Sequence, residues 1–210
     1  MTGVAFDLDG CIIDSKTSIL ASVRVAMASL SLPAQTDDEL LWLIGPPLDF
    51  GFAELLRRLG RDPGDSAELL RRYRADYVAT MLERTTLLPG MDEVVRKVGA
   101  VRAVCVVTSK PRPFAVQLLE HLGLLDDLAL VEGPPLGASA EPKTVTLARA
   151  IDQLPLAYMV GDRHHDVEAG KANDLRTVGV LWGFGSATEL GEAGADVLVQ
   201  TPDELVEVLA

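Results

Sequence analysis

Asp7-Leu8-Asp9-Gly10, Thr108, Lys143 and Asp162 with Asp166 are the residues of this 210-residue chain whose types and spacing could do chemistry. Most of them stand at or just beyond the end of an apolar, strand-like run, and Lys143 opens a helical pattern after Glu141-Pro142. Ligands of an open α/β sheet bind beyond the carboxyl ends of its strands. With Lys110, which ends the run after Thr108-Ser109, four carboxylates, a hydroxyl and one or two amines would therefore converge on one edge. Two unit charges about 4 Å apart repel by about 4 kcal/mol at an effective dielectric of about 20. Four carboxylates so placed could not all stay ionised, let alone receive a phosphate dianion. A divalent cation resolves both conflicts. With oxygen donors and no His or Cys at the right positions, the set favours magnesium over zinc. Magnesium also neutralises charge as a phosphoryl group is transferred.

Taken singly, each residue has an ordinary reading. Asp-x-Asp-Gly occurs in turns and calcium loops, Thr108 could cap or fill a core, and Lys143 could be a solvated surface lysine. Asp162 and Asp166 could be a helix cap and a first-turn acid. Their order along the chain, at successive strand ends, is what joins them. Asp7 and Asp9 would share a face of an extended strand, but Gly10 lets the chain turn there. One carboxylate could then attack phosphorus while the other protonates the leaving oxygen, a recognised route through a covalent intermediate. His164 and His165 lie beside two of the acids. Adjacent residues on a helix point about 100° apart, so the pair is expected at the surface or in support of the site, not around one zinc ion.

The elements that must position these residues are legible as alternating patterns. Apolar runs at 3–8, 103–108, 128–132, 157–161, 176–181 and 195–199 read as strands, and segments such as 112–122 and 143–153 read as helices. Continuous apolar strands alternating with helices indicate a parallel sheet covered on both faces. Between Ser15 and Leu87 that rhythm stops. Only helical patterns appear, at 18–30, 37–44, 49–59 and 66–84, punctuated by Pro33, Gly45-Pro46-Pro47, Asp62-Pro63-Gly64 and Leu88-Pro89-Gly90. The expected fold is a doubly wound, Rossmann-like α/β parallel sheet at 1–15 and 86–210, with an inserted α-helical cap at 16–85.

The net charge of −12 argues against a nucleic-acid partner, which needs clustered cations to neutralise phosphates. No apolar stretch approaches the ~20 residues of a membrane-spanning helix, and no signal peptide is visible, so a soluble cytoplasmic protein, monomer or homodimer, is expected. Cys11 and Cys105 are too few, in a chain of ordinary size, to suggest a disulfide framework.

Phe6-Asp7-Leu8-Asp9-Gly10 with Ile12, Asp14 and Ser15 resembles the first motif of the haloacid dehalogenase-like phosphohydrolases. Thr108 resembles the second, Lys143 the third, and Gly161-Asp162 with Asp166 the fourth, so the resemblance spans essentially the whole chain. Thr108-Ser109-Lys110-Pro111, Leu119-Glu120-His121-Leu122-Gly123-Leu124 and Gly161-Asp162-Arg163-His164-His165-Asp166 look like the phosphoglycolate-phosphatase-like branch. So do Ile44-Gly45-Pro46-Pro47-Leu48 and Leu181-Trp182-Gly183-Phe184-Gly185. The chain departs from the pattern at Cys11, where Thr or Val is usual. It also lacks an aromatic at 125–128 and a basic residue in the Pro- and Ala-rich 133–140 segment.

The resemblance implies a phosphatase acting on a small phosphorylated metabolite, phosphoglycolate or a nucleoside monophosphate. It implies Asp7 as nucleophile, Asp9 as general acid and then base, Thr108 as a phosphoryl hydrogen-bonding group and Lys143 as charge balance. It implies magnesium on the Asp7 carboxylate, the Asp9 carbonyl and Asp162, with Asp166 bound directly or through water. Gly10, Ser109, Gly45 and Pro46 are the candidate substrate contacts. Two other classes share the acids: a sugar-phosphomutase-type phosphotransferase, and a phospho-accepting switch like response-regulator receivers. Receivers place the phosphorylated Asp after an internal strand and have no helical cap, unlike Asp7 and the 15–87 segment.

Overall fold

The computed structural model describes residues 2–137 and 141–210. In chain order the elements begin with β1 (Gly3–Phe6), β2 (Ile13–Asp14) and α1 (Lys16–Ser29). Next come α2 (Asp37–Leu40), α3 (Leu48–Arg58), α4 (Ser66–Arg84), β3 (Thr86–Leu87), α5 (Met91–Gly99) and β4 (Val104–Val107). They are followed by α6 (Arg112–His121), β5 (Leu130–Glu132), α7 (Lys143–Gln153), β6 (Leu156–Gly161) and α8 (His164–Ala172). The chain closes with β7 (Arg176–Val180), α9 (Ala187–Glu192), β8 (Val197–Val199) and α10 (Pro202–Leu209).

Six strands form one parallel sheet in the order β5-β4-β1-β6-β7-β8. Their side chains alternate between two apolar layers, as the period of two requires. Val4 and Phe6 of β1, Val104 and Val106 of β4 and Val160 of β6 face one layer, with Val94, Leu118 and Leu205 from α5, α6 and α10. Ala5, Cys105, Val107 and Met159 face the other, with Leu147, Ala150 and Ala169 from α7 and α8. This is why the strands read as unbroken apolar runs: both faces are covered. Both cysteines are free and buried. The chain runs outward from β1 to β4 and β5, then returns to β6 on the other side of β1. The carboxyl end of β1 is thus the point where strand order reverses, the usual ligand position in such sheets.

The helices between β2 and β3 pack mainly on one another. α1 lies along α4, and Phe52 of α3 meets Tyr73 of α4 edge-on at 5.6 Å. Thr36 and Glu39 form a reciprocal capping box at the start of α2. The helix expected over 37–44 is broken: α2 stops at Leu40, and a 3-10 turn, Leu41–Leu43, leads into Gly45 at φ +113°. The stretch 15–87 also holds one strand the pattern did not announce. Thr86–Leu87 pairs antiparallel with Ile13–Asp14, so the chain entering the helical segment is zipped to the chain leaving it. Two residues are too few for a period of two to show. No helix of the described residues is long and apolar enough to cross a membrane.

Candidate active site

β1 ends at Phe6, and Asp7 is the first residue beyond it, anchored by its N–H donating to Val160 O of β6 at 2.8 Å. The chain then closes a tight loop in which the N–H groups of Ile12 and Ile13 both donate to Leu8 O. Gly10 sits there at φ +86°, and a Cβ on it would come within 2.5 Å of the Asp162 carboxylate and 2.6 Å of the Phe184 ring. Gly10 is therefore a packing requirement. It is not among the residues lining the cleft. Because the strand has already ended, Asp7 and Asp9 part company and each meets its own lysine.

Lys143, the first residue of α7, places Nζ 2.6 Å from Asp7 Oδ1 and 2.5 Å from Asp166 Oδ1. Asp162 ends the β6 turn and is fully buried. Its Oδ2 accepts from Phe184 N–H at 2.6 Å, while its Oδ1 has no hydrogen-bond partner among the described residues. Gly183 and Gly185 wrap so closely around Asp162 that any Cβ would collide with it, which explains the glycines of the 181–185 motif. Asp166, in the first turn of α8, accepts from the Arg163 N–H at 3.0 Å.

Burial, opposed by Lys143 and reinforced by Asp166, pushes Asp7 up to about 7. Burial, then Asp166 and Asp7, raises Asp162 well above the carboxylate range, against the pull of Phe184 N–H and Lys143. Burial works against the Lys143 ammonium, but Asp166 and Asp7 outweigh it and hold its pKa above the usual lysine range. One buried lysine does not satisfy three buried acids. Asp7, Asp162 and Asp166 each offer an oxygen within 4.8 Å of the others. An all-oxygen set with an orphaned buried carboxylate oxygen fits a hard divalent cation such as magnesium. The Asp9 side chain lies outside this cluster, its Oδ1 taken by Lys110 Nζ at 2.5 Å.

Above the carboxylates opens a small cleft of about 90 Å³. Its floor carries Asp7, Asp9, Thr108, Ser109 and Lys110. Gly45 and Pro46 line the opposite wall, with Leu48, Tyr73, Arg74 and Tyr77 of the helical segment. Thr108 is buried at the end of β4, and its Oγ1 accepts from Lys110 N–H at 3.1 Å. Arg163 reaches from the β6–α8 junction to the wall, its Nη1 donating to Ile44 O at 2.6 Å.

Lys110 was legible as a strand-end amine beside Thr108, and Arg163 only as a member of the 161–166 motif; Tyr77, inside a helical pattern, had no signal. The two histidines lie closer together than adjacent helical positions suggest. His164 and His165 occupy the first turn of α8 and do come together, with ring centroids 3.8 Å apart and donor atoms within 4.8 Å of Glu168. A cation there is opposed by the positive helix N-terminus. It is opposed too by Arg163, whose Nε shares Glu189 Oε1 with His164 Nδ1 at 2.8 Å each.

The family model for haloacid dehalogenase-like hydrolases matches residues 4–180. Tyrosine-protein kinase PtkA of Mycobacterium tuberculosis is 36% identical over 98% of this chain and 72% of its own length. Its solved structure superposes with a TM-score of 0.82 at 33% identity, covering 99% of this chain and 97% of that one. A 5'-nucleotidase of Pseudomonas aeruginosa is 31% identical over 89% of this chain and 86% of its own. A phosphoglycolate phosphatase of Shigella boydii is 28% identical over 99% and 92%. The chain belongs to the haloacid dehalogenase-like hydrolases. Within that family it is a phosphoric monoester hydrolase, a phosphatase.

Proposed function

We propose that this phosphatase is magnesium-dependent and hydrolyses a small phosphate monoester, phosphoglycolate-like or a nucleoside monophosphate, through an aspartyl-phosphate on Asp7. The observation that carries the reading is the buried cluster of Asp7, Asp162 and Asp166, in which one lysine meets Asp7 and Asp166 while Asp162 Oδ1 has no partner among the described residues. The Asp7 and Asp162 carboxylates and the Asp9 carbonyl would hold magnesium, with Asp166 bound directly or through water. The ion, when bound, offsets the negative charge of the acids and the phosphoryl group.

The rest falls to the chain's own groups. A substrate phosphate lies in the cleft with Thr108 donating to a phosphoryl oxygen and Lys143 balancing the charge of Asp7. An Asp7 oxygen attacks phosphorus, the bond to the leaving oxygen breaks, and Asp9 gives that oxygen its proton. Asp9 then takes a proton from water as the water oxygen attacks phosphorus. Inorganic phosphate leaves and the Asp7 carboxylate is restored. The helices at 16–85 act as a cap over the site, with Gly45 and Pro46 facing the substrate and Ser109 on the floor beside it.

The test is a phosphate-release screen across phosphorylated metabolites, run in EDTA and again after adding magnesium. Release in magnesium and none in EDTA supports the reading; full activity in EDTA overturns it. The likeness to PtkA favours a second reading, in which the phosphoryl group on Asp7 passes to an acceptor hydroxyl rather than to water. Radiolabelled phosphoryl appearing on a protein tyrosine, with little free phosphate, would establish that alternative.

A further inference from the structure

Lys110 is a buried lysine to which the proposed chemistry gives no task. Its side chain is 6% exposed, and Nζ donates to Asp9 Oδ1 at 2.5 Å and to the Tyr77 hydroxyl oxygen at 2.8 Å. A buried ammonium is tolerated only where partners offset its desolvation, and Asp9 and Tyr77 are the partners here. The backbone of Lys110 is fixed as well. Its N–H donates to Thr108 Oγ1, and its carbonyl lies where a Cβ on Gly133 would come within 2.6 Å. Tyr77 is held just as firmly, stacked on Tyr73 at 5.2 Å and edge-on to Phe114 of α6 at 5.9 Å. The ammonium also stands 5.2 Å from the centre of the Tyr77 ring.

Lys143 grips Asp7 and Asp166, and Lys110 grips Asp9 alone among the acids. Two carboxylates only two residues apart are thus aimed by separate cations, one from the β4–α6 loop and one from the start of α7. An acid–base group works only within hydrogen-bond reach of its proton partner, and a misplacement of about 1 Å can cost about 100-fold. We infer that Lys110, seated by the hydroxyl of Tyr77, is the positioning residue that aims the Asp9 carboxylate at the leaving oxygen. Because Tyr77 belongs to α4 and Lys110 to the β4–α6 loop, Asp9 is aimed only when the helical segment is packed on the sheet. The inference rests on the proposal that Asp9 is the acid and base of the reaction.

The test uses the full chain with magnesium and a series of substituted phenyl phosphates, from p-nitrophenyl phosphate to phenyl phosphate. The esters are alike in size and differ in how much protonation the leaving oxygen needs. Lys110→Met should lower kcat for phenyl phosphate by about ten- to a hundredfold and for p-nitrophenyl phosphate by several-fold less. Tyr77→Phe, which keeps the ring and its stacking, should steepen the same dependence to a smaller degree, and Lys110→Arg should recover part of the loss. In the Asp9→Asn background Lys110→Met should change kcat by less than about threefold, since a residue acting through Asp9 has nothing left to act on. An equal loss across the series, or the same loss with and without Asp9, would show Lys110 to be a structural tie and overturn the inference. Failure of the unaltered chain to hydrolyse p-nitrophenyl phosphate in magnesium would overturn the phosphatase mechanism itself, and the inference with it.

Discussion

Asp162 and Asp196 stand at opposite edges of the same half of the sheet, and their surroundings are opposite too. Asp162 follows β6 at the carboxyl edge. It is fully buried, pushed upward by burial and by Asp166 and Asp7, and left with one oxygen unpaired. Asp196 precedes β8 at the amino edge. Its Oδ2 accepts from Thr177 N–H and Oγ1 at 2.7 Å each, and its Oδ1 from Lys171 Nζ at 3.0 Å. The Thr177 N–H, then the Thr177 hydroxyl and Lys171, hold it down at about 2. Glu189 belongs with Asp196: burial raises it, but Arg163 and the His164 N–H outweigh that and bring it to about 2. A carboxylate held down by several donors is part of the scaffold. A buried carboxylate whose demand is unmet is waiting for something the fold does not supply, which on the proposed reading is a cation.

The severest way to break this contrast is at Asp7. Asp7→Asn keeps the volume and removes the nucleophile, so activity should fall by about 10⁴-fold or more, with no phosphoenzyme on any substrate. Acid quench of the variant with radiolabelled substrate measures this directly, and labelled protein would mean that another residue attacks phosphorus. Asp9→Asn should cost about 10²–10⁴ for a poor leaving group. An activated aryl phosphate needs little protonation, so its first step should survive better. Dephosphorylation still lacks its base, and rapid quench should therefore show a burst approaching one equivalent and then slow turnover. Absence of that burst would remove Asp9 from the second step.

Much of this contrast could be read from the chain alone, and the limit has a physical cause. Asp7, Thr108 and Asp162 each terminate an apolar run whose both-sided burial is plain in the letters, so their convergence followed from strand ends. Lys110 also follows such a run, but nothing local separates a lysine reaching water from one reaching Asp9. Its partner Tyr77 lies on a helix 33 residues earlier, and only packing joins them. Gly10 read as a turn, while the ring and carboxylate it makes room for come from residues 184 and 162. The β2–β3 pair was invisible because a two-residue ladder has no periodicity.

A gentler test concerns the wall rather than the acids. Gly45 adopts φ +113°, a conformation that few residues other than glycine take up readily, and the Ile44 carbonyl before it is held by Arg163. If the 44–48 loop selects the substrate, replacing it should shift relative specificity between metabolites by about tenfold or more. Slow hydrolysis of p-nitrophenyl phosphate should remain. A uniform loss on every ester would show that the loop serves only to support the fold.

The smallest effect is expected at the satisfied acid. Thr177, at the start of β7, is fully buried, and its N–H and hydroxyl both end on Asp196, whose own N–H returns a bond to the Thr177 hydroxyl at 3.0 Å. Asp196→Asn keeps the shape but turns one oxygen into a donor facing either Thr177 or the Lys171 ammonium. The Asp196 side chain is 38% exposed, so solvent screens part of its charge, and a loss of about 1 kcal/mol at neutral pH is expected. The pH dependence fixes the cause. The folded pKa of Asp196 lies below its unfolded value of about 4, so its contribution is whole above that value. It drains away as the pH falls toward about 2. Urea midpoints of the unaltered chain and the variant should therefore differ at pH 7 and draw together by pH 2.5. Because the active-site acids titrate in both proteins alike, they cancel from the difference. A gap that stays constant with pH would mean that shape, not charge, makes Asp196 a scaffold residue, and the contrast with Asp162 would then rest on burial alone.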